Sequence, residues 1–164
     1  MKTVFIVFLV YFLSSCSSYT EQNQPLSETV LELRWGNSFG MCVGLCIEEN
    51  HFIYGTTIKQ TLSSWTDSYA QKSCSMELSR VQTDSIASLI DKQSFLALPE
   101  QIGCPDCADG GATWIEILFT DQSAHKVTFE YFNEPESIKK LAEALRKKSE
   151  FLRQHCYAQA NQPH

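Results

Sequence analysis

No apolar run in this 164-residue chain is long enough to cross a bilayer. The longest, Val4 to Leu13, has ten residues, where a spanning helix takes about 20. Basic charge is in the minority, with 13 Lys and Arg against 19 Asp and Glu and a formal charge of −6 at pH 7. That balance argues against nucleic acid as a partner. The one basic cluster, KKLAEALRKKSEFLR, interleaves with acids and reads as a solvated helix face. Histidine is scarce: there are only His51, His125, His155 and His164, and no two have the helical spacing of a zinc-ligand pair. His125, at the start of a strand pattern, is expected to be structural. Asp106 and Asp109 sit beside glycines but lack the spacing and the bidentate Glu of an EF-hand, so a turn is expected. No internal repeat is visible.

The N-terminus carries a signal. Lys2 gives a positive start, and the ten-residue apolar run has the length of a secretory h-region. It ends in Leu13-Ser14-Ser15-Cys16, which resembles the lipobox of bacterial lipoproteins: an apolar residue three before the cysteine, small residues one and two before it. The resemblance implies a signal peptide over 1–15 and a mature chain starting at an acylated Cys16. Several acyl chains anchor stably where one is marginal. Ser17 in place of Asp implies sorting to the outer rather than the inner membrane. The implied location is the cell envelope, with the membrane contacted through the lipid and an envelope protein or ligand as partner. Losing Lys2 leaves 12 basic against 19 acidic residues. Residues 16–27, polar and with Pro25, read as a lipidated N-terminus and tether.

Besides Cys16 there are six cysteines: Cys42, Cys46, Cys74, Cys104, Cys107 and Cys156. In an oxidising compartment an even count suggests a disulfide framework, but spacing does not select the pairing. In GCPDCADGG, Pro105 and the glycines favour a tight turn joining Cys104 to Cys107. A redox centre would need a thiolate of depressed pKa, commonly at a helix N-terminus, whereas a strand pattern follows here. Cys42 and Cys46 with Cys104 and Cys107 would supply a four-thiolate zinc site. The long separation and the oxidising compartment weigh against it. GNSFG matches G-x-S-x-G around Ser38, but a nucleophile elbow needs a strand-to-helix turn in an α/β sheet, and a glycine-rich connection follows. The segment GMCVGLC, downstream of the lipobox, resembles uncharacterised lipoproteins frequent in Bacteroidetes, through Cys42, Gly44 and Cys46. Where those have a proline and then a tyrosine, this chain has Ile47 and Glu49. The resemblance implies an exported, lipid-anchored small domain and no known activity.

Periodicity organises the rest. TVLELRW alternates as a half-buried strand with Leu31, Leu33 and Trp35 on one side. HFIYGTTIK reads as one strand with Phe52, Tyr54 and Ile58 on a face, preceded by a turn at EEN. SCSMELS alternates Cys74, Met76 and Leu78. Thr83 reads as the N-cap of a helix reaching about Lys92. ATWIEILF and HKVTFEYF form a hairpin around TDQSA. Asn133 and Glu136 resemble a capping box for a helix carrying Ile138, Leu141, Ala142, Leu145 and Leu152 to about Gln154.

The expected architecture is α+β: a single domain over 28–156, with an antiparallel sheet of five or six strands, two helices on one face, the longer one C-terminal, and a tail over 157–164. The expected role is non-enzymatic, interaction or structural, with no cofactor. The alternatives are a thiol–disulfide oxidoreductase at Cys104 and Cys107, and a zinc-stabilised binding domain.

Overall fold

The computed structural model describes residues 25–38, 47–64, 72–107 and 110–160. Along the chain run β1 (Val30–Ser38), β2 (Ile47–Tyr54), β3 (Thr57–Ser64), β4 (Lys72–Glu77), α1 (Arg80–Ala87), α2 (Lys92–Leu96), β5 (Gln101–Ile102), β6 (Ala112–Phe119), β7 (Ala124–Glu130), a 3-10 turn (Glu136–Ile138) and α3 (Lys139–Ala160). The fold is α+β, with the longest helix C-terminal as expected. The seven strands form one sheet in the order β4-β3-β2-β1-β6-β7-β5. The sheet is mixed, not wholly antiparallel, because β5 pairs parallel to β7. Both the strand number and the helix number exceed the sequence expectation.

Each excess has a local cause. HFIYGTTIK is not one strand: Gly55 takes φ 59°, and Tyr54 faces Thr57 across a two-residue turn. Glycine adopts that conformation at no steric cost. EEN therefore lies inside β2 rather than in a turn. Ile53 and Ile58 face each other and are fully buried. The helix expected from Thr83 to Lys92 is two helices. Ser79, not Thr83, caps α1, in a capping box with Gln82. Thr83 is buried one turn inside, its Oγ1 donating to the Arg80 carbonyl at 2.8 Å. Asp91 then caps α2 by accepting from the Ser94 N–H at 2.7 Å, which ends one helix and starts the next. The expected box of Asn133 and Glu136 does not form, since the Asn133 amide donates to Glu130 Oε2 at 2.8 Å. Helix α3 continues to Ala160, past Gln154.

The core lies on one face of the sheet. Leu33 is opposite Ile53 and Ile117, and Ile115 is opposite Val127. All five are buried, and period-two alternation puts them on the same side. A register shift between Val30 and Glu32 rotates Val30 inward. The helices close this face: Ile86, Phe95, Ile138, Leu141, Leu145 and Leu152 join the same cluster. Each such side chain contributes about 1.5–3 kcal/mol. Leu26, assigned to the tether by the sequence, is fully buried in it as well. The opposite face is open and charged, with Arg34 paired to Glu32 and Glu116 and Lys126 4.5 Å above the Trp114 ring. Among the described residues no helix is long and apolar enough to cross a membrane.

Candidate functional site

Two features share one end of the sheet. Ser38 ends β1 opposite Ala112, the first residue of β6, and Ala112 lies opposite Glu130, the last of β7. The first feature is the loop from β5 to β6. Cys104 and Cys107 are disulfide-bonded with Cα atoms 5.4 Å apart. The Cys107 N–H donates to the Cys104 carbonyl at 3.1 Å, and Asp106 takes φ 61°. With Pro105 in the preceding position this is the sign pattern of a type II turn. The Cys104 N–H donates to Glu130 Oε1 at 2.8 Å. Gly103, at φ 72°, packs against the same carboxylate, where a Cβ would come within 2.8 Å of Oε1. The Asn133 amide and then the Cys104 N–H hold the Glu130 carboxyl below the usual glutamate range.

The second feature is a cleft of about 170 Å³ between this end of the sheet and α3. Its floor includes Trp35, Ile115 and Leu145, all buried. The Trp35 indole N–H donates to Ser149 Oγ at 2.8 Å, and the Ser149 hydroxyl donates to the Leu145 carbonyl at 3.0 Å. Thr113 Oγ1 donates to Asn37 Oδ1 at 2.9 Å. On the rim Arg146 pairs with Glu134 at 3.0 Å and lies 5.7 Å from the Phe132 ring centre.

Phe132 is 66% exposed and takes φ 62°. The Asn133 N–H donates to the Glu130 carbonyl at 3.1 Å, so Phe132 occupies the third position of a tight turn. HKVTFEYF thus ends as a strand at Glu130, with Tyr131 and Phe132 in the turn. The two turns meet at Glu130, whose carboxylate serves the cysteine loop through one oxygen and Asn133 through the other.

The other sequence candidates fall elsewhere. Cys74 lies half-buried on β4. It is disulfide-bonded, and not to Cys104 or Cys107, which are bonded to each other. Cys16, Cys42, Cys46, Asp109 and His164 lie outside the described residues, as does the side chain of Cys156. As a disulfide, Cys104 and Cys107 offer no thiolate to a zinc ion. Among the described residues no three His, Cys, Asp or Glu side chains converge on a metal position. His125 is structural: its Nε2 lies 2.8 Å from the Leu98 carbonyl, which fixes that nitrogen as the donor, and its ring meets Phe95 edge-on. His155 lies on α3 and His51 on β2. Among the described residues, the next element after Ser38 is the antiparallel strand β2.

The cleft was not anticipated from the sequence. One signal for it was present: Ser149 stands four residues after Leu145 and three before Leu152, a polar residue on the apolar stripe of α3. Such a residue needs a buried partner. No protein-family model matches the chain, and no curated protein matches it.

Proposed function

We propose that this is an exported, non-enzymatic binding protein of the cell envelope, held to the outer membrane by a lipidated Cys16. Its binding surface is the cleft between the sheet and α3. The anchoring rests on Leu13-Ser14-Ser15-Cys16 closing a ten-residue apolar run behind Lys2. The binding role is supported by an apolar floor with a few polar groups around it, the composition ligand sites share. The Cys104–Cys107 bond serves as a staple. Cys104 stands in a loop with its N–H taken by a carboxylate, and that setting supplies none of the positive potential that activates a thiol.

The test of anchoring is metabolic labelling with an alkyne fatty acid, followed by fractionation. Wild type should take label and sediment with membranes, and Cys16→Ala should do neither. An unlabelled, soluble wild-type protein would overturn the reading.

A further inference from the structure

We propose that the cleft takes one neutral, hydroxyl-bearing ring, a hexose unit of a glycan, with Phe132 as its stacking platform. This deepens the binding role proposed above and rests on it.

The platform is the first observation. In the turn from Glu130 to Asn133 only Phe132 has a positive φ, at 62°. That is the glycine position of a type II turn, and a bulky side chain there is an outlier. The strained residue is also 66% exposed, so core packing does not explain it. Its ring contacts the Tyr131 ring, with centroids 4.0 Å apart, and the Arg146 guanidinium. Strain of this kind gathers where it serves a ligand. An aromatic face presented rigidly beside a polar cleft suits the C–H face of a sugar ring.

Size, charge and hydrogen bonding narrow the occupant. About 170 Å³ is close to the volume of a cavity that holds one benzene, so there is room for a single ring. Glu134 and Arg146 neutralise each other, and Glu150 and Arg153 add one charge of each sign to the lining. A charged ligand would have to break the existing pair. Asn37 uses its Oδ1 to accept from Thr113, which leaves its amide nitrogen as a donor with no acceptor among the described residues. Thr113 Oγ1 has spent its hydrogen and keeps its lone pairs. A donor and an acceptor side by side match a hydroxyl, which both accepts and donates. A purely apolar peptide side chain would leave both unpaired.

The full-length protein, in a detergent without a sugar headgroup, is tested on two immobilised panels. One carries neutral oligosaccharides ending in glucose, galactose, mannose or N-acetylglucosamine; the other carries uncharged peptides. At least one oligosaccharide should bind. Phe132→Gly should weaken that binding tenfold or more while Tm stays the same or rises, since glycine relieves the turn. Thr113→Val should also weaken it, and Lys147→Ala, away from the cleft, should not. The assignment fails if no oligosaccharide binds at millimolar concentration, if only peptides bind, or if binding survives Phe132→Gly. Lipid labelling of the same preparation reports on anchoring independently, so the two readings fail separately.

Discussion

Deleting one hydroxyl from α3 tests how the helix is fastened to the sheet. Trp35 is 3% exposed and Ser149 4%. The indole N–H donates to Ser149 Oγ at 2.8 Å across 114 residues of sequence. In Ser149→Ala the indole loses that acceptor. A typical hydrogen bond nets about 1 kcal/mol, but a buried donor left unsatisfied costs about 1–3 kcal/mol. Alanine's better helix propensity returns about 0.5 kcal/mol. The expected net loss is therefore about 0.5–2.5 kcal/mol. In a chain of this size each kcal/mol moves Tm by roughly 2–4 °C. The assay is urea unfolding with an unchanged m value, repeated in a Trp35→Phe background. There the donor is already gone, so Ser149→Ala should cost less than about 0.5 kcal/mol, and the difference between backgrounds is the coupling. An equal cost in both backgrounds, or a cost under about 0.5 kcal/mol in the wild type, would refute the argument. It would mean that water entering from the cleft replaces the hydroxyl without loss.

Leu145→Ala should cost about 2–5 kcal/mol as a buried leucine, and the exposed Lys147→Ala should stay within about 0.5 kcal/mol; equal effects in a denaturant titration would take α3 out of the core. Replacing Cys104 and Cys107 together by serine should cost about 2 kcal/mol in the loop-entropy account. In a redox titration the wild-type pair should fall below about −300 mV, the range of structural bonds, whereas about −120 to −200 mV with turnover of a scrambled substrate would make it a catalyst. Glu130 has its pKa lowered on folding by Asn133 and Cys104. Its contribution is therefore present above the unfolded-state pKa and is lost as pH falls through the folded one. Melting curves across acid pH should show wild type losing more stability than Glu130→Gln, and parallel pH profiles would count against the linkage.

What the sequence made legible follows from where its periodicity is strong. The β6–β7 hairpin and the stripe of α3 were readable because Val127 and Phe129 alternate, and because Ile138, Leu141, Ala142, Leu145 and Leu152 recur at helical spacing. All seven are buried. The β2–β3 hairpin was hidden because a two-residue turn at Gly55 interrupts an apolar run without a polar loop. Strand β5 has only two residues and owes its existence to β7 beside it, which no local pattern encodes. The break between α1 and α2 turned on two competing caps, and Thr83 looked like a third. The cleft was illegible for a different reason. It draws on the end of β1, the start of β6, the turn after β7 and one side of α3, and only the fold brings these together.

The same geometry explains how stability and a binding site coexist in so small a sheet. One face is covered by helices and the other carries ion pairs. The strand ends are different. There Trp35 and Ile115 remain core residues while forming the cleft floor. Short turns must hold the rim, and without a core behind them they need other fasteners. Glu130 supplies one: its two oxygens accept from the cysteine loop and from the Phe132 turn. The disulfide supplies the second by limiting the loop that carries Cys104. A strained aromatic at φ 62° can persist only where its surroundings over-determine it. The Glu130 carboxylate, which also engages the disulfide loop, and the Arg146–Glu134 pair together provide that constraint.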